Sequence, residues 1–206
     1  MKGFGPDIPI APKAERPFPA KEIIWGSQQG GQPYFPTPTD AYERRYSTDP
    51  VPLQKFGKAV ATAQERVWVV DEYLLMPDGG DPVRRIEQIL EWLPLSFAAS
   101  DVRLLTKHHQ EITEDDLERF QQHAQEINNY ATRRKKECSI EVRTHLTRDC
   151  DFIHDRFAII DDELWHFGAT VGGFHSRVSA ASRGWRAADH GAIKFFEEIW
   201  KAGAGK

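Results

Sequence analysis

Two periods alternate along this chain. Leu53, Phe56, Val60 and Ala63 recur at helical spacing, and Val67-Trp68-Val69-Val70 is continuously apolar. The first pattern predicts a short amphipathic helix with Asp49 upstream as its cap. The second predicts a strand buried on both faces. Asp78-Gly79-Gly80 makes a turn, and Asp81-Pro82 then supplies a cap and a first-turn proline to a helix carrying Val83, Ile86, Leu90 and Leu93, which Pro94 stops. Residues 102–106 read as another strand. Thr113 and Asp116 form a capping box in its carboxylate form, ahead of a helix with Leu117, Phe120, Ala124, Ile127 and Ala131 on one stripe. That helix runs into the basic stretch 133–136, cations where the helix dipole favours them. Ile140, Val142 and Leu146 alternate as a strand. The run from Phe152 to Asp161 is a further strand, residues 163–168 a short one, and residues 192–200 a final helix. The order implies an α/β fold, a mixed β-sheet flanked by helices.

Residues 1–50 show no such period. They hold most of the prolines, with Gly26, Gly30 and Gly31 among scattered aromatics, and read as an extended or disordered N-terminal arm. Trp25, Tyr34, Phe35, Tyr42 and Tyr46 are more aromatics than a linker needs, so part of the arm is expected to pack on the domain or on a partner subunit. Residues 51–206 are then the folded domain. With 206 residues, 40% of them hydrophobic, the chain has enough for one core behind a polar tail.

A formal net charge of -4 argues against a general nucleic-acid coat, though it allows a local basic cleft. No apolar run reaches 18 residues, so no transmembrane segment is expected, and no apolar stretch follows Met1 as a signal peptide requires. Cys138 and Cys150 are expected as reduced thiols, which fits a cytoplasmic protein.

The chemistry concentrates in the run Phe152 to Asp161. His154 and Arg156 are two residues apart on an apolar strand, so alternation puts them on one face, about 7 Å apart. An imidazole beside a fixed cation suits a phosphate group: one attacks or carries protons, the other holds the anion. The eight histidines show no zinc-ligand spacing, so neither a metal nor another cofactor is expected. His108, Gln110 and Asp115 repeat the spacing of His154, Arg156 and Asp161 on a polar turn, which reads as coincidence.

The spacing His154-x-Arg156-x4-Asp161, with Gly168 after six more residues, resembles the H-x-K-x4-D-x6-G-S-x-N signature of the phospholipase D superfamily. The strands at 65–71 and 101–106 and the last helix resemble that fold too, so the domain is expected to be one phospholipase D-like half domain. The sequence departs from the pattern in three ways. Arg156 replaces lysine, Ala169 and Val171 replace the serine and asparagine that bond phosphate, and the motif occurs once.

The resemblance implies a metal-independent phosphodiesterase, a nuclease above all, with a phosphohistidine intermediate. One motif per chain implies a homodimer in which two His154 copies share a cleft. The implied catalytic residues are His154, Arg156 and Asp161, with Asp161 orienting rather than reacting. Thr170, Arg183, Trp185 and Arg186 follow or flank the glycine turn Gly172-Gly173 and are the implied substrate contacts. Nucleic acid is the first expected partner besides a second copy of the chain, and phospholipid or another phosphate ligand the second. The alternative is an inactive module that binds a phosphate-containing ligand or serves as an assembly subunit.

Overall fold

Val67 and Val69 sit in one hydrophobic cluster, and Trp68 and Val70 in another on the opposite face of the sheet. This continuous apolar run therefore forms the central strand of a layered structure. The computed structural model describes residues 17–48, 50–76, 82–130 and 136–202. In chain order its elements are β1 (Glu22–Trp25), α1 (Pro38–Arg45), α2 (Gln54–Ala61), β2 (Arg66–Val70), α3 (Pro82–Leu90), β3 (Asp101–Leu105), α4 (Glu114–Tyr130), β4 (Ser139–Arg143), α5 (Leu146–Asp149), β5 (Arg156–Ile160), β6 (Glu163–Phe167), β7 (Ala180–Arg186) and α6 (Ala192–Ala202). The sheet is seven-stranded, in the order β1-β7-β6-β5-β2-β3-β4.

β2, β3 and β4 run parallel, whereas β5, β6, β7 and β1 add on antiparallel. The sheet is thus mixed and flanked by helices, as the pattern predicted. Residues of α2, α3 and α4 pack on one face around Phe56, whose ring meets Trp92, Trp165 and Phe167 edge-on. α6 covers the other face, with Phe196 stacked on Trp68. The capping box before α4 forms as read: Asp116 N–H donates to Thr113 Oγ1 at 3.2 Å, and Thr113 N–H donates back to Asp116 at 3.0 Å.

Four features differ from the sequence expectations. The arm packs on the domain, one of the two places expected for it, but as regular elements rather than an extended or disordered segment: β1 is an edge strand paired to β7, and α1 starts with a complete capping box at Thr37. Arg44 fixes the arm further. Its buried guanidinium donates to the carbonyls of Ser27, Val51, Gly173 and His175 at 2.8–3.1 Å, tying α1 to the glycine turn. Second, Leu146 opens the short helix α5 rather than extending β4.

Third, β7 was not foreseen. Its sequence, Ala-Ala-Ser-Arg-Gly-Trp-Arg, is small and polar, and it becomes a strand because it has partners on both edges. Gly184 at φ +94° lies so close to Ala20 that any side chain would collide with its carbonyl, 2.6 Å from the position of a Cβ. Fourth, α2 is capped by Leu53 without a side-chain hydrogen bond. Asp49, the turn Asp78-Gly79-Gly80, Asp81, Ala131, Arg133, Arg134 and Lys135 lie outside the described residues. Among those described, no helix is long and apolar enough to cross a membrane.

Candidate functional site

The sheet brings the motif to an end rather than to a face. β2 stops at Val70, opposite Phe157, and β6 stops at Phe167, opposite Arg156. Beyond Arg156 the chain has no partner strand, so β5 cannot continue to His154. A turn closed by Ile153 N–H to the Cys150 carbonyl, 3.0 Å, tucks Ile153 into the α6-side core instead. The expected alternation of His154 with Arg156 therefore fails. His154 is exposed and opens, with Phe157 of β5, into a cavity on the α6 side of the sheet. Arg156 points to the other face, the one to which Ala158 and Ile160 also belong.

The cavity holds about 600 Å³ and is lined by Phe152, His154, Asp155, His166, His190 and Phe195 among others. It is open, rimmed by two exposed phenylalanines, and carries three imidazoles. His166 Nε2 lies 3.3 Å from Asp155 Oδ1. His154 and His190 have no partner among the described residues. No group of three or more metal-ligating side chains among the described residues could hold a metal ion.

Arg156 faces a different set. Its Nε is 3.6 Å from Asp71 Oδ1, its terminal nitrogen is 4.0 Å from Glu72, and its guanidinium lies 4.9 Å above the Tyr73 ring. Lys107 sits 3.9 Å from the centre of the same ring. Asp71 is fully buried at the C-terminal end of β2, where it accepts N–H bonds from Tyr73 and Val171, both 2.8 Å. Burial pushes its carboxyl up to about 6, against those bonds and the Arg156 and Arg85 charges, which pull it down. Val171, which stands where the resembled signature has asparagine, gives its backbone N–H to Asp71. Thr170 beside it is buried.

The remaining expected site residues lie elsewhere. Asp161 is five residues beyond Arg156, about 16 Å along an extended strand. It sits at φ +56°, and its carboxylate accepts the N–H groups of Gln64, Glu65 and Arg66 at 2.7–3.2 Å. These bonds tie the end of β5 to the start of β2. Arg183 makes a two-pronged contact to Glu163, 2.7 and 2.9 Å, and lies 3.6 Å from Glu22. Arg186 pairs with Asp162 at 3.2 Å and covers Phe18. Trp185 is half-buried, with Lys21 5.4 Å from its ring. The register of β6 and β7 places Trp185 and Arg186 at the Asp161 end of the sheet, and Arg183, nearer the middle of β7, turns its guanidinium to Glu163 at that end.

Sequence reasoning missed Asp155 and His166 as a pair, and Asp71, Tyr73 and Lys107 around Arg156. One signal was available for the first pair. A two-residue turn at Asp161-Asp162 pairs Phe157 with His166, which puts His166 on the face toward which His154 opens.

No protein-family model and no curated protein matches this chain. Among solved structures, the archaeal chromatin protein TrmBL2, whose structure shows a novel mode of DNA binding, aligns with a TM-score of 0.40 and 12% identity, over 92% of this chain and 55% of that one. NucT from Helicobacter pylori aligns at 0.47 and 11%, over 89% of this chain and 98% of that one. Phosphatidylserine synthase from Haemophilus influenzae Rd KW20 aligns at 0.44 and 13%, over 86% and 36%. The chain spans about half the length of the first and about a third of the last. Likeness at this level leaves the chemistry to be read from the site.

Proposed function

We propose that this chain is a metal-independent phosphodiesterase that cleaves nucleic acid, with His154 as its nucleophile. The observation that carries the reading is an unpartnered, exposed imidazole opening into a cavity that holds two further histidines. The open shape suits a polymer, and the exposed rings of Phe152 and Phe195 offer faces on which bases stack. His154 attacks phosphorus in line. The bond to the leaving oxygen breaks, a phosphohistidine forms, and water then releases the phosphate monoester. The departing alkoxide needs a proton. A second copy of the chain across a two-fold axis would bring another His154 as donor; a histidine of the same cavity would serve without it.

Binding without turnover is the second reading, and one observation favours it. Arg156, which the resembled chemistry would use to hold phosphate, lies on the opposite face beside Asp71 and Glu72, at 3.6 and 4.0 Å, and does not line the His154 cavity. The experiment is cleavage of a single-stranded oligonucleotide in EDTA. Wild type should cleave, and His154→Ala should lose about 10³-fold or more. Equal cleavage by both would refute the nucleophile. Oligonucleotide binding by the wild type with no cleavage would select the second reading.

A further inference from the structure

The proposed reaction leaves its proton donor open, and one histidine of the cavity is built differently from the others. His166 lies on β6, where hydrogen bonds to β5 and β7 fix the backbone, whereas His154 and His190 lie in connecting segments. Its Nε2 is 3.3 Å from Asp155 Oδ1. That carboxylate lies on the Nε2 side of the ring, which leaves Nδ1 as the ring nitrogen free for a substrate. Asp155 directly follows His154, so one short segment carries both the nucleophile and the group that orients the second histidine. The pair is open to solvent, with side-chain exposures of 51% for His166 and 76% for Asp155, so its proton can be replenished from water.

We infer that His166, positioned by Asp155, is the general acid and base of this site and acts on a substrate held by the same chain. The inference rests on the phosphodiesterase reading. His154 attacks phosphorus while His166 gives its Nδ1 proton to the departing oxygen. Neutral His166 then takes a proton from the water that attacks the phosphohistidine, which regenerates both side chains. The sum is one phosphodiester and one water giving a monoester and an alcohol. Each chain then carries a full set, and a two-fold partner is not needed for the chemistry.

Leaving-group dependence tests this directly. A dinucleotide needs its alkoxide protonated, whereas bis(4-nitrophenyl) phosphate releases a phenolate that does not. His166→Ala should lose about 10²-fold or more on the dinucleotide. On the nitrophenyl ester it should keep a burst of one phenolate per chain and then turn over slowly, because water still needs a base. His166→Gln should behave alike, which guards against a folding artefact. Asp155→Asn, altering only the positioning residue, should lower dinucleotide cleavage less than His166→Ala and shift the pH profile.

Near-wild-type dinucleotide cleavage by both His166 variants would overturn the inference, while loss of the burst in His154→Ala would still uphold the reading beneath it. Full activity in His154→Ala would instead remove that reading. Restored activity on mixing His154→Ala with His166→Ala chains would place the donor on a partner and overturn the single-chain claim.

Discussion

The two ends of the β5–β6 hairpin carry similar polar residues and treat them in opposite ways. At the turn end, Asp161 is occupied by three backbone N–H groups, Asp162 by Arg186, and Glu163 by Arg183. At the open end, His154 and His190 face a cavity with no partner among the described residues. Position after the glycine turn, read through the resemblance, put Arg183 and Arg186 beside His154 as ligand contacts. Saturation tells the ends apart, because a cation already matched to a buried carboxylate must break that pair before it holds a phosphate. Arg156 lies between the cases: it is at the open end with Asp71 and Glu72 at 3.6 and 4.0 Å, yet its buried Nε has no hydrogen-bond partner among the described residues.

The comparison breaks most visibly at Glu163. Its side chain is 9% exposed and that of Arg183 12%, so Arg183→Met strands a buried carboxylate. The expected loss is about 3–5 kcal/mol in urea unfolding. A loss near zero would mean that the turn end is not held by this pair and that Arg183 is free for other work.

Asp71 sharpens the comparison from the open end. Burial raises its carboxyl from the ordinary 3.8 to about 6, so the native state holds this proton more tightly than the unfolded chain does. The stability this adds is fully present below about pH 4 and is lost as pH rises through about 6, a swing of about 3 kcal/mol. Asp71→Asn does not titrate. Wild type should therefore lose about that much relative to Asp71→Asn between pH 4 and pH 7, read from urea midpoints at each pH. A difference that stays constant with pH would mean that Asp71 is ionised throughout.

Much of this was legible in the sequence, and the residues show why the rest was not. β2, β3 and α4 declare themselves by four consecutive apolar residues, an apolar strand run, and a capped stripe. These signals are local and belong to elements buried against the core. β1 and β7 carry no comparable period. They are strands because each completes the other's ladder, with Gly184 cut back to let the arm approach.

The motif singled out His154, which lines a cavity, but predicted Arg156 on the same face, and the structure puts the two on opposite faces. Alternation holds only while a strand has partners, and the ladder ends at Arg156. The His166–Asp155 pair required the hairpin register, and Asp71 read as no more than the first residue past an apolar run. One of the N–H groups that meets its buried carboxylate belongs to Val171, 100 residues later.

The central claim is that the open end does chemistry while the turn end holds the fold, and one paired measurement tests it. His154→Ala and Asp161→Ala are compared for oligonucleotide cleavage per folded chain and for urea unfolding. His154→Ala should abolish cleavage and leave stability within about 0.5 kcal/mol, as expected for an exposed side chain without partners. Asp161→Ala should lose about 2 kcal/mol, because three N–H groups lose their acceptor, and should cleave normally while folded. A folded Asp161→Ala without activity, or a His154→Ala that still cleaves, would contradict the division between the two ends.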